Sequence, residues 1–268
     1  MLLVDTHTHL ESFPDLEIPS ILDRSGESGV CALISAGTTE ESSSRSIDLT
    51  SKYPDIFAGV GIHPMDLIKP VDDKTYLSLR NLATSTNKVS VISEVGLDFM
   101  EGMPDRALQY QAFREQIRLA RELTLPIIFH AREASIETLR VLREEKAYEV
   151  GGTMHYFQDD LHTARVAIDL GFLISFGKPL LRSQSLKKVA SCIPLEHIAL
   201  ETDSAPQPFK AKRENWTEPR HLCDIATVLA ELKNLEIEEI AETTTRNFLR
   251  ILGPKSSLSL FISSINVR

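Results

Sequence analysis

Eight short apolar runs, separated by longer amphipathic segments, constrain this chain most. The runs are Leu2–Asp5, Cys31–Ser35, Ile56–Gly61, Val89–Ser93, Ile127–Phe129, Gly152–Met154, Phe172–Ser175 and Ile198–Leu200. Their length and β-rich composition read as strands. The segments between them carry helical periodicity. Over Asp105–Leu123, for example, Leu108, Phe113, Ile117 and Ala120 form a stripe at near-helical spacing, and Ser135–Lys146 is a second such stretch. Alternation of this kind builds a parallel sheet with its helices outside. Eight units in 268 residues predict an α/β fold of the (β/α)₈ barrel type rather than an open doubly wound sheet. No linker, repeat or low-complexity tract divides the chain. Residues 1–253 are therefore expected to form one barrel domain. Residues 254–268 follow a Gly-Pro stop, carry little charge, and read as an appended C-terminal tail without an assigned role.

In a barrel the carboxyl ends of the strands build the site, and the polar residues of this chain gather there. After the first run comes "DTHTHL", with His7 and His9 at i and i+2. On a strand that spacing points both rings to one face, where they can grip a metal or simply pack. The third run is followed by His63 in "GIHP", the fourth by Glu94 and Asp98 in "SEVGLDF", and the fifth by His130 and Arg132 in "FHAR". His155 follows the sixth in "MHYF", and Glu201 and Asp203 follow the eighth in "ETD". Of the 8 histidines, only His162, His197 and His221 lie elsewhere. Packing explains one strand-end histidine but not the whole set, so a metal site is expected.

The ligand types narrow the ion. Imidazole and carboxylate without thiolate suit zinc, manganese and related divalent ions. The cysteines, Cys31, Cys192 and Cys223, are odd in number and far apart, which excludes a disulfide scaffold and a cysteine zinc site and fits a cytoplasmic protein. His7, His9, Glu94, His130, His155 and Asp203 are too many ligands for one structural zinc. They suit two divalent ions, Mg, Mn or Zn, sharing a carboxylate. Glu94 is the natural bridge, because it lies in chain order between the His7/His9 and His130/His155 groups. The formal charge of −9 rules out coating a nucleic acid by bulk charge, so phosphate contact needs bound cations or a local basic patch. The N-terminus lacks the basic region of a signal peptide, and no apolar run approaches the ~18 residues of a membrane helix, so no membrane partner is expected.

Taken together, "DTHTHL", "GIHP", "SEVGLDF", "PIIFHARE", "MHYF", "ALETD" and "TTTRNFLRIL" resemble the TatD family of metal-dependent hydrolases, in that order and from residue 5 to about residue 252. The resemblance implies a TIM-like barrel and divalent-metal deoxyribonuclease activity, often 3′ exonucleolytic. It implies that His7, His9 and Asp203 hold one ion with Glu94, while His130 and His155 hold the second with Glu94 shared. Three stretches depart from the family. Glu11 stands where an Asp is usual after "HxHL". Tyr156, Phe157, Gln158 and Asp159 replace Cys-Phe-Ser-Gly, and Gln207 follows Ser204, Ala205 and Pro206 in place of a Tyr-Leu ending. These positions would line the substrate pocket, so the chemistry is better defined than the substrate.

Other candidates sit around the ligands. His63 binds phosphate, orients a ligand or closes the turn before Pro64. Glu201 shares a strand face with Asp203 and suits the N–H of a metal-bound imidazole. Asp98 and Arg132 support ligands or touch substrate. In "FKAKRENW", Lys210, Lys212 and Arg213 with Trp216 could hold a nucleic-acid strand by charge and stacking. "KPVDDK" and "LEIEEIAE" read as solvated faces. The expected reaction is phosphodiester hydrolysis of DNA by water that bound cations acidify to a pKa of about 7. Glu94 and Asp203 are the catalytic carboxylates, with Asp203 taking the proton. One alternative keeps the metals but changes the bond to another ester or an amide, such as an aminoacyl-nucleic acid or a lactone. Another is a metal-binding interaction protein without turnover.

Overall fold

The computed structural model describes residues 1–266. Eight parallel strands follow one another around a barrel: β1 (Leu3–Thr8), β2 (Val30–Ala36), β3 (Ile56–Val60), β4 (Val89–Asp98), β5 (Ile127–Arg132), β6 (Gly152–Met154), β7 (Phe172–Phe176) and β8 (Ile198–Leu200). The helices are α1 (Ile18–Glu27), α2 (Glu40–Lys52), α3 (Asp73–Thr84), α4 (Arg106–Leu123), α5 (Ser135–Glu144), α6 (Leu161–Asp169), α7 (Gln184–Cys192), α8 (Leu222–Lys233), α9 (Ile237–Leu252) and α10 (Ser257–Asn266). The alternation predicted from the sequence is the observed architecture. Local chemistry sets the helix starts. Asp105 caps α4 by accepting from the N–H groups of Ala107 and Leu108, and Asp72 caps α3 through the N–H of Thr75.

The seam between the first and last strands is closed by a few strong contacts. Thr8 and Ser204 form a parallel bridge, the Asp203 N–H donates to His7 O at 3.0 Å, and the His9 N–H donates to Ser204 O at 2.8 Å. Below them, buried Asp5 accepts from the Thr202 N–H at 3.0 Å and from Thr202 Oγ1 at 2.6 Å. The first and last strands are thereby fixed together at their ligand-bearing ends.

Three strands run further than the apolar pattern predicts. β1 continues through His7, β4 through Glu94 and Asp98, and β5 through His130 and Arg132. These polar residues were expected beyond the strands, because polarity reads as loop. They lie within the strands, at the barrel's mouth. Register shifts fall between Asp5 and Thr8 in β1 and between Ile92 and Val95 in β4, each spanning one more residue than the partner strand. Such bulges re-aim side chains, and here they bracket His7 and Glu94.

The C-terminal tail also has structure. Leu258 and Ile262 of α10 are buried in one apolar cluster with Val4, Ile34, Phe57, Val91, Ile128, Leu173 and Ala199 from the barrel interior. Phe261 meets Phe57 edge to face at 5.8 Å between centroids. α10 thus covers the end of the barrel opposite the ligands.

Candidate metal centre

Six predicted ligands converge at the carboxyl ends of β1, β4, β5, β6 and β8. Glu94 stands at the centre, buried, with its two oxygens facing different partners. Its Oε2 lies 3.4 Å from His7 Nε2 and 3.6 Å from His9 Nε2. Its Oε1 lies 3.1 Å from His130 Nδ1 and 3.2 Å from His155 Nε2. Asp203 Oδ1 closes the first side, 3.4 Å from His9 Nε2 and 3.9 Å from His7 Nε2. The donor atoms of His7, His9 and Glu94 all lie within 4.8 Å of one another, as do those of His7, His155 and Asp203.

This donor set fits divalent ions. Two ligands each about 2.1 Å from one ion stand roughly 3–3.5 Å apart, and four of the six separations fall there, with His9–Glu94 at 3.6 Å and His7–Asp203 at 3.9 Å slightly wider. The outer contacts leave the inward nitrogens as lone pairs. His9 Nδ1 donates to Ala36 O at 3.1 Å, which leaves Nε2 as a lone pair facing His7 Nε2 at 3.3 Å. His130 Nε2 donates to Asp98 Oδ2 at 2.9 Å, which leaves Nδ1 facing a carboxylate oxygen. Electron-rich atoms opposed at these distances require a cation between them, a proton or a metal ion. Burial holds the His7 imidazole below its ordinary value, whereas burial of His9, His130 and His155 is outweighed by the facing carboxylates, which raise them, so without an ion protons fill the gaps between these groups. Burial pushes Glu94 and Asp203 upward, but the surrounding imidazoles outweigh it and keep both carboxyls ionised, below the usual carboxylate range.

The supporting residues divide clearly. Asp98 Oδ2 also accepts from Arg132 at 2.7 Å, and Oδ1 accepts from the Met100 N–H. Burial alone would raise Asp98, but His130, that N–H and Arg132 bring it down to about 2. Glu201 Oε1 lies 2.9 Å from His155 Nδ1, off hydrogen-bond alignment, and accepts the Tyr156 N–H at 2.5 Å. His63 is part of the site. Its Nδ1 accepts the Met65 N–H at 3.1 Å, so its ring proton sits on Nε2, 3.3 Å from Glu94 Oε1. It therefore closes the turn and also stands in one cluster with Glu94 and His130, whose donor atoms and its own all lie within 4.8 Å of one another.

The basic loop differs from expectation. Arg213 is held by Glu17 and Glu218 and stacks on Trp216, 4.5 Å from its centroid. Trp216 in turn packs on Phe13. Both residues fasten the loop to the segment before α1 and are half-buried, so their charge and ring are already engaged. Lys212 pairs with Glu214 at 3.7 Å, and Lys210 bonds Asn215 O at 2.9 Å. Sequence reasoning missed two supports. Asp5 shares the parity of His7 and His9, which is a usable signal. Glu11, noted only as a departure, lies 3.5 Å from His9 Nδ1 and accepts from Ser35 Oγ at 2.8 Å. Glu11 reaches this hydroxyl on the neighbouring strand β2, a partner that is invisible in sequence.

The ligands open onto a cavity of about 670 Å³ lined by Thr38, Met65, Met100, Arg132, Tyr156 and Phe157 among others. Glu133, Tyr156 and Asp203 on its wall all have left-handed backbone, with φ of 52°, 46° and 51°. Strained non-glycine residues gather at functional sites.

A parallel β/α barrel with buried histidines and carboxylates converging at its strand ends defines the class: an enzyme of the metal-dependent hydrolases. Within it, the chain belongs to the TatD related DNase family, whose model matches residues 4–253. The chain is 34% identical over 256 residues to the uncharacterized metal-dependent hydrolase YabD of Bacillus subtilis, covering 93% of this chain and 98% of that one. Human deoxyribonuclease TATDN3 is 30% identical over 264 residues, covering 93% and 94%. The crystal structure of YJJV, a TatD homolog from Escherichia coli, matches with a TM-score of 0.83 at 27% identity, covering 93% of this chain and 97% of that one. No helix among the described residues is long and apolar enough to cross a membrane.

Proposed function

We propose that this enzyme hydrolyses phosphodiester bonds of DNA, using two divalent ions held by His7, His9, Glu94, His130, His155 and Asp203. The observation that carries the reading is Glu94. One oxygen faces His7 and His9, the other faces His130 and His155, which is the geometry a shared ligand needs. When bound, the ions supply charge neutralisation for a phosphate and acidify water. The chain's residues do the rest. Asp203, ionised and with 28% of its side chain exposed, faces the cavity and takes the proton of the attacking water. Its low basicity suits a relay that passes the proton to solvent rather than storing it. His63 offers its Nε2–H to a phosphate oxygen once Glu94 is engaged elsewhere. Asp98 holds the ring of His130 in orientation, and Glu201 lies 2.9 Å from His155 Nδ1 as its charge partner. The family description and the name of the human relative support DNA as the substrate.

Purified protein with manganese or magnesium, given labelled single-stranded DNA and a panel of small esters and lactones, tests the reading. Metal-dependent release of nucleotides is expected. Turnover of a carboxylic ester or lactone with DNA left intact would replace it.

A further inference from the structure

The loops after β7 and β8 meet beside Tyr156, a residue of the metal cavity's wall. Lys178 opens the first loop, and its Nζ lies 3.3 Å from Thr217 Oγ1 in the second. Arg182 ends the turn that Lys178 begins, and Lys210 lies on the second loop. None of the three forms an ion pair within 4.0 Å among the described residues, whereas their neighbours Lys212, Arg213 and Arg220 all do. They share one field. Burial, with Lys210, Arg182 and Arg220, holds the Lys178 ammonium below its ordinary value against the pull of Asp224. The group adjoins the metal centre through Tyr156, whose ring packs against Gly177, the residue before Lys178, and which lines the cavity with Asp203. Beside Lys210, Phe209 is 81% exposed.

Lys178 and Arg182 share one turn, and Lys210 is tied to the same Thr217 segment through Gln207, so three cations without a carboxylate partner repel one another in an arrangement that an anion relieves. In barrels of this architecture the loops after strands 7 and 8 often bind phosphate. A phosphate at the metal centre would leave this second group free. A substrate carrying more than one phosphate can engage both. The exposed aromatic face beside Lys210 matches a base rather than bare phosphate, because bases stack on such faces irrespective of sequence.

We propose that Lys178, Arg182 and Lys210 form a second anion site that takes a non-scissile phosphate of a single nucleic-acid strand, with Phe209 as the stacking face for its base. The inference rests on the phosphodiesterase reading above. It assigns the strand's path over the β7 and β8 loops, and it moves the aromatic contact from Trp216 to Phe209.

Binding without turnover tests it. A fluorescein-labelled oligothymidylate is titrated with full-length protein in EDTA at several salt concentrations, following anisotropy. Combined K178Q, R182Q and K210Q should weaken binding about tenfold or more and flatten the salt slope by about one to two units. R182E alone, at an exposed position that does not endanger folding, should reproduce most of the loss. F209A should weaken binding about fivefold or more while leaving the salt slope unchanged. Equal binding by wild type and the triple variant would overturn the site, as would displacement of the strand by equimolar inorganic phosphate, which would mark a site for the free ion. Hydrolysis of bis(p-nitrophenyl) phosphate by wild type with manganese separates the two claims. If that hydrolysis is present while the binding difference is absent, the second site alone falls. If it is absent, the phosphodiesterase reading falls.

Discussion

Asp203 joins several demands in one residue. Its backbone N–H closes the barrel seam on His7 O, its left-handed φ turns the carboxylate inward, and its oxygen stands by both β1 imidazoles. Asp203→Asn preserves the size and one coordinating oxygen. The variant should fold, retain most bound metal, and lose hydrolysis by roughly a hundredfold or more, the usual scale for a missing general base. Single-turnover assays with metal-loaded protein, beside metal analysis, check this. Activity within a few-fold of wild type would remove Asp203 from proton transfer. Glu201 acts through another residue. It touches His155 Nδ1 and the Tyr156 N–H, so Glu201→Gln should lower metal affinity by about 10–100-fold, the range for second contacts of ligating histidines. Isothermal titration with manganese reads that change directly, and an unchanged affinity would make Glu201 a purely structural residue.

At the scale of elements, α10 and the β8 loop make separate claims. Leu258 is fully buried against the barrel interior. Leu258→Ala should destabilise by about 2–5 kcal/mol in urea unfolding, and a loss below about 0.5 kcal/mol would mean that the helix merely lies on the surface. The β8 loop is tied down by Glu218, buried, with Arg24 bidentate at 2.8 and 2.9 Å and Arg213 at 3.0 Å. Burial pushes this carboxyl up, but Arg24 and the other guanidinium groups outweigh it, so its folded value lies below the unfolded one. Its stabilisation is therefore complete above the unfolded value of about 4.3 and fades as pH falls through the folded value. Glu218→Gln should cost about 1–2 kcal/mol at pH 7, because the guanidinium groups of Arg24, Arg213 and Arg220 lose their charged partner but, each about a third exposed, keep water. The gap between variant and wild type should narrow on acidification. A gap independent of pH would show that packing, and not charge, holds the loop.

Across the whole molecule, the barrel and the gathering of histidines and carboxylates at its strand ends were legible because both obey period and position. Strands announced themselves as apolar runs, and chemistry followed at their carboxyl ends. What was not legible is equally physical. The bulges at His7 and Glu94 each add one residue to a register, and an apolar run carries no mark of that. Trp216 looked available beside three cations, but its partner Phe13 is about two hundred residues away in sequence. The α10 stripe at Leu258, Phe261, Ile262 and Ile265 was readable at i, i+3, i+4 and i+7. It was passed over because it follows a Gly-Pro stop. The pairing of Lys178 with the β8 loop depends on barrel closure and has no sequence signature.

The account also predicts coupling of ions to stability. Ions that bind only the folded barrel should raise its unfolding free energy by about 2.7 kcal/mol at a hundredfold excess over Kd, and EDTA should remove that gain in thermal scans. The most direct test counts the ions. Manganese-loaded wild-type protein, freed of excess metal, is analysed for bound metal beside His155→Ala and Glu94→Gln. A shared carboxylate between two ions predicts about two ions per chain in wild type, about one in His155→Ala, and less than about one in Glu94→Gln. Full occupancy in Glu94→Gln would contradict the shared ligand and the two-ion phosphodiesterase built on it.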